Sequence, residues 1–143
     1  MKVVNKYIYP TSTRAEIEGL RHYTVDGEEK PLPSVTTILG KTQPKEKQES
    51  LARWRERIGT REAEKITRDA AIRGTAMHKY LEDLIQGERS LDLSGIGLQA
   101  QKMAEVIVDR GLNRCSEVNG IEAVLYYPGL YAGSCDLIGQ IDG

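Results

Sequence analysis

The sequence predicts a mixed α+β fold of the α/β class, with helices packed on a small sheet. Two observations carry that expectation. Apolar residues recur at helical spacing over residues 45–59, 60–87 and 96–110. From Ile121 onward the spacing shortens to the two-residue period of strands, interrupted by a Pro128-Gly129 turn. The length of 143 residues, with 39% hydrophobic and 29% charged, suits a single domain over 1–143 with a modest core. There is no Phe, so Leu, Ile, Val and seven Tyr must fill that core.

The elements follow in order. Residues 1–22 are expected to form a flexible N-terminal extension. "RHYTVDGEEKPLPSV" holds a short strand, an Asp26-Gly27 turn and a second short strand around the prolines. "PSVTTILG" opens a short helical turn that Gly40 should stop. Residues 41–50, polar and holding Pro44, read as a loop. In the long helix Thr60 is the expected N-cap, Gly74 a break or a close helix contact, and Gly87 the C-terminal stop. The next helix places Ile96, Ala100, Met103 and Ile107 on one face. "IEAVLYY" and "LYAGSCDLIGQI" form a hairpin, and Asp142-Gly143 looks like the start of another turn.

Charge excludes little but locates something. The net charge is −1, yet residues 41–73 carry ten Lys/Arg against six Asp/Glu. A basic stretch of this kind can steer a polyanion, and it equally suits a solvated helix surface with i,i+4 pairs. No apolar run approaches the roughly 20 residues of a membrane span, and the first residues do not form a signal peptide. Two cysteines, Cys115 and Cys135, make a poor disulfide framework and fit a reducing, cytoplasmic setting.

The residues that could carry chemistry lie in two places. On the helix at 100° per residue, Met77, Leu81 and Leu84 mark an apolar stripe. His78 and Glu82 share one flank of it, four residues apart, so both could reach one ion or each other. Lys79, Asp83 and Gln86 should point away. A histidine there can also be a satisfied hydrogen-bonding group. In the hairpin, a three-residue loop would pair Tyr127 with Tyr131 and set Glu122 opposite Asp136, whereas a two-residue loop would put the acids on opposite faces. Facing carboxylates destabilise a sheet unless something neutralises them. Oxygen ligands with one imidazole suit Mg²⁺ or Mn²⁺. The small residues Ala132, Gly133 and Ser134 beside Asp136 mark a close approach or a tight bend. Cys135 should be buried and inert, and Met77 and Met103 core. Trp54, among Arg53, Arg55 and Arg57, could stack on a nucleobase or anchor packing.

Taken together, "PSVTTIL", Trp54, "RGTAMHKYLEDLIQG" and "IEAVLYYPGLYAGSCDLIGQIDG" resemble the PD-(D/E)XK nuclease superfamily. The likeness is nearest to RecB-type exonucleases, those of phages and of mitochondrial genome maintenance, and runs from about Tyr23 onward. It implies a metal-dependent DNA exonuclease using Mg²⁺ or Mn²⁺, acting on single-stranded ends in the cytoplasm of a bacterial or phage-infected cell. By this resemblance His78, Glu122 and Asp136 are the metal-binding and catalytic residues, with Ser134-Cys135-Asp136 in place of the literal Pro-Asp. Glu82 is an orienting acid. Arg73 supports a phosphate or the helix junction, and Arg53, Trp54, Arg57 and Arg61 lie on the nucleic-acid path.

The sequence departs from the family after Gly143, where the (D/E)xK half-motif would come. The expectation is therefore an N-terminal part of the nuclease core, truncated or split, weak or inactive alone. It would have an exposed edge strand open to self-association or to a completing chain. The alternative is a non-catalytic nucleic-acid-binding or interaction module on the same scaffold.

Overall fold

A computed structural model describes residues 1–89 and 92–142. The fold is mixed α+β, with four helices and two three-stranded sheets among the described residues. The first sheet has the order β1–β5–β6, from Lys2–Val3, Cys115–Tyr127 and Tyr131–Ile141. The second has the order β2–β3–β4, from Ser12–Ile17, Leu20–Val25 and Leu32–Pro33. The chain divides into two compact units.

One unit comprises Val4–Gln48 and Asn119–Gly139. Its β2–β3 hairpin turns through Glu18 and Gly19, with φ of 53° and 73°, and pairs Ile17 with Leu20. Two central residues at positive φ give the tight turn whose twist matches antiparallel strands. The Asp26-Gly27 turn follows, with Gly27 at φ 89°, and β3 then pairs antiparallel with β4 through Tyr23 and Leu32. Tyr23, Val25, Leu32 and Ala132 form the core, with Val124 packed against it. Helix α1, Val35–Lys41, starts at Ser34, whose buried Oγ accepts from the Thr37 N–H at 3.0 Å. That cap satisfies one of the orphan donors at the helix start.

Residues 1–22 are not a loose extension. Ser12–Ile17 is paired along its length, and Tyr9 Oη donates to the Asn119 carbonyl at 2.8 Å. A Cβ at Gly120 would lie 2.7 Å from that hydroxyl, so glycine makes the contact possible. The loop expected at 41–50 is also shorter. Helix α1 runs through Gly40 to Lys41, and α2 begins at Lys45, leaving Thr42, Gln43 and Pro44 between them.

The other unit comprises Met1–Val3, Glu49–Val118 and the described part of Gln140–Gly143. It holds most of α2 (Lys45–Ile58), then α3 (Thr60–Gln86), α4 (Gly95–Arg110) and a 3₁₀ turn at Leu112–Arg114. In it β1 pairs parallel with the start of β5, Val3 beside Val118. Helix α3 is unbroken at Gly74, and a Cβ there would meet nothing within 4 Å. One glycine costs a helix about 1 kcal/mol relative to Ala, too little to break 27 residues. Thr60 is the first helical residue rather than the N-cap, which is Gly59 at φ 92°. Gly87 ends α3 in the left-handed conformation, with its N–H to Leu84 and that of Glu88 to Asp83, as a Schellman cap.

Helix α4 buries a different stripe from the one its large residues suggest. Gly97, Ala100 and Ala104 are buried, whereas Met103 is 42% exposed and Ile107 also faces solvent. Small residues let helix backbones approach closely, and α3 and α4 pack against each other. Asp83 is likewise buried rather than pointing away, and the Lys79 ammonium pairs with it at 3.1 Å. The turn expected at Asp142-Gly143 lies partly outside the described residues.

Candidate metal centre

The β5–β6 hairpin sets the geometry. Its loop has three residues, Pro128 to Leu130, the longer of the two lengths considered from sequence. Tyr127 C=O accepts from the Leu130 N–H at 3.1 Å, and Gly129 adopts φ 71°. The Tyr127 and Tyr131 rings stack across the strands with centroids 5.9 Å apart. Glu28 Oε2 accepts from the Gly129 N–H at 3.2 Å and ties down the turn.

Further along the hairpin, Ala123 and Ala132 are buried while Glu122 and Asp136 are exposed. Glu122 has φ 50°, a left-handed backbone inside a strand. A non-glycine residue pays roughly 1–2 kcal/mol for that conformation. Such residues mark bulges, which re-aim a side chain and often stand at functional positions. Its carboxylate accepts from Ser134 Oγ at 3.1 Å. One oxygen of Glu122 and one of Asp136 lie no more than 4.8 Å apart.

That spacing suits a hard cation. Oxygens on opposite sides of Mg²⁺, each at about 2.1 Å, are about 4.2 Å apart.

Comparison with protein-family models, with curated proteins and with solved structures finds no match. The case for a function therefore rests on the residues.

The remaining candidates sit on the helical unit. His78 and Glu82 lie one turn apart on α3, and both are half-buried. Arg73, also half-buried, donates to Gln99 Oε1 on α4 through a long 3.4 Å hydrogen bond. Arg53, Trp54 and Arg57 on α2 line one cleft, and Arg61 in the first turn of α3 does not. Cys135 is half-buried, less enclosed than expected, with Sγ 3.4 Å from the Leu137 carbonyl. No helix among the described residues is long and apolar enough to cross a membrane.

Sequence reasoning did not assign Ser134 a role. The signal was present in the small residues before Asp136, which leave its hydroxyl room to reach Glu122. The bend at Glu122 left no signal, because glutamate is not a residue that favours positive φ.

Proposed function

We propose that this chain is a metal-dependent DNA exonuclease of the PD-(D/E)XK kind, or the metal-binding part of one. The observation that carries the reading is the pair of exposed carboxylates, Glu122 and Asp136, held within 4.8 Å on one hairpin. A backbone distortion at Glu122 and a hydrogen bond from Ser134 support one of them. Two carboxylate oxygens this close can share one divalent cation.

The resemblance assigns His78 as a nitrogen ligand to the same ion, with Glu82 one turn on to orient it. The ion would supply charge stabilisation at the phosphorus and lower the pKa of an attacking water. Glu122 and Asp136 would fix the ion's position, and Ser134 would keep the Glu122 carboxylate from rotating away. The preference for single-stranded ends comes from the resemblance alone.

The test is end-labelled single-stranded DNA incubated with the chain in Mn²⁺ or Mg²⁺, with EDTA and Asp136→Ala as controls. The expected result is tighter DNA binding in the metal, with any cleavage lost in EDTA and in the variant. Affinity identical in Mn²⁺, in EDTA and in Asp136→Ala, without cleavage, would instead favour a non-catalytic binding module.

A further inference from the structure

The helical unit holds a second feature, away from the acidic hairpin in sequence and opposite to it in charge. Helices α2 and α3 are joined through Gly59 alone, at φ 92°. Between them lies a cleft of about 850 Å³, with Trp54, Arg53, Arg57, Leu51, Ile66 and Thr67 among its lining residues. On α2 the residues at 50, 53, 54 and 57 follow helical spacing, so one face supplies them all.

The lining has three properties that together select a ligand. Trp54 is half-buried, so part of the indole remains open. Leu51 and Ile66 are both 41% exposed, an apolar surface left uncovered in the cleft. The guanidinium groups of Arg53 and Arg57 have no ion-pair or hydrogen-bond partner among the described residues, and no acidic side chain lines the cleft. Flat aromatic and apolar surface beside two unengaged guanidinium groups matches a planar, apolar ring attached to anions.

We propose that this cleft binds a nucleotide of single-stranded nucleic acid, its base stacked on Trp54 and its flanking phosphates on Arg53 and Arg57. The volume falls within the range of roughly 300–1,000 Å³ usual for small-ligand pockets. Stacking on an aromatic side chain tolerates any base, and arginine forks take phosphate oxygens in pairs. The inference rests on the nucleic-acid part of the reading above and is independent of the metal pair.

Trp54 is the single tryptophan of the chain, so its fluorescence reports the cleft directly. The experiment titrates the full chain with an eight-residue oligothymidylate at low salt in EDTA. Tripolyphosphate and polyglutamate serve as comparison anions. The expected result is quenching by the oligonucleotide that weakens as salt rises. It should weaken at least about tenfold in Arg53→Ala/Arg57→Ala.

Trp54→Tyr, read by anisotropy of labelled oligonucleotide, should keep most of the binding that Trp54→Ala loses. Circular dichroism checks that both variants are folded. No quenching at low salt overturns the proposal. Quenching by tripolyphosphate or polyglutamate at matched charge also overturns it, leaving a general anion patch or an acidic-peptide site. Lost quenching with ion binding at the hairpin intact would sink the cleft alone, and the reverse would sink the metal pair alone.

Discussion

Replacing Glu122 with Gln separates charge from shape. The substitution keeps an oxygen that can accept from Ser134 and removes one of two charges that lie within 4.8 Å. Both groups are exposed, so their repulsion is that of charges in water, about 1 kcal/mol at this distance and less in salt. In EDTA the variant should therefore melt higher than the parent, by up to about 3 °C for a chain of this size. Divalent cation should reverse the order. An ion at ten times its dissociation constant stabilises the parent by about 1.4 kcal/mol, and the variant should gain little. The assay is thermal unfolding by circular dichroism in EDTA and in 10 mM Mg²⁺. Equal melting shifts on adding Mg²⁺ to both proteins would refute the reasoning. So would a variant less stable than the parent in EDTA.

Other expectations follow from single contacts. Glu122→Gly should relieve the positive φ and raise metal-free stability by roughly 1 kcal/mol, while abolishing ion binding measured by titration calorimetry. Gly97→Ala should cost about 1–3 kcal/mol in chemical unfolding, because its Cβ would run into the Asp92 carboxyl and backbone carbonyl. Ser34→Ala removes the α1 cap and should cost about 1 kcal/mol by the same assay. Hydrogen bonds from the Ser94 side chain and backbone hold the Asp92 carboxyl below the usual carboxylate range. A lowered folded value stabilises above the unfolded one, so that contribution should vanish as pH falls through the folded value. A carboxyl NMR titration of Asp92 finding an ordinary or raised value would contradict this.

Some of the fold could be read from residues and some could not. Asp26-Gly27 and Gly87 carry their own chemistry, since their neighbours demand a turn and a left-handed cap. Glu18-Gly19 turns a hairpin just as tightly but hides its first residue, because glutamate rarely adopts φ 53°. In α4 the period was legible and the face was not. Met103 outranks Ala104 in apolar area, yet close helix packing selects the smaller side chain, and Ala104 is fully buried. Asp83 reads as a surface acid, but its pairing with Lys79 lets it sit inside.

At the hairpin, strand alternation with a three-residue loop was enough to bring Glu122 and Asp136 to one neighbourhood. The left-handed backbone at Glu122 and the Ser134 contact needed coordinates, because no residue type there announces either.

The most direct measurement is electron paramagnetic resonance of Mn²⁺ titrated into the chain, counting ions that lose the free signal. The account predicts one ion per chain, displaced by Mg²⁺, lost in Glu122→Gln and Asp136→Asn and weakened in His78→Ala. Binding that persists unchanged in both acid variants, or no binding at millimolar Mn²⁺, would contradict it.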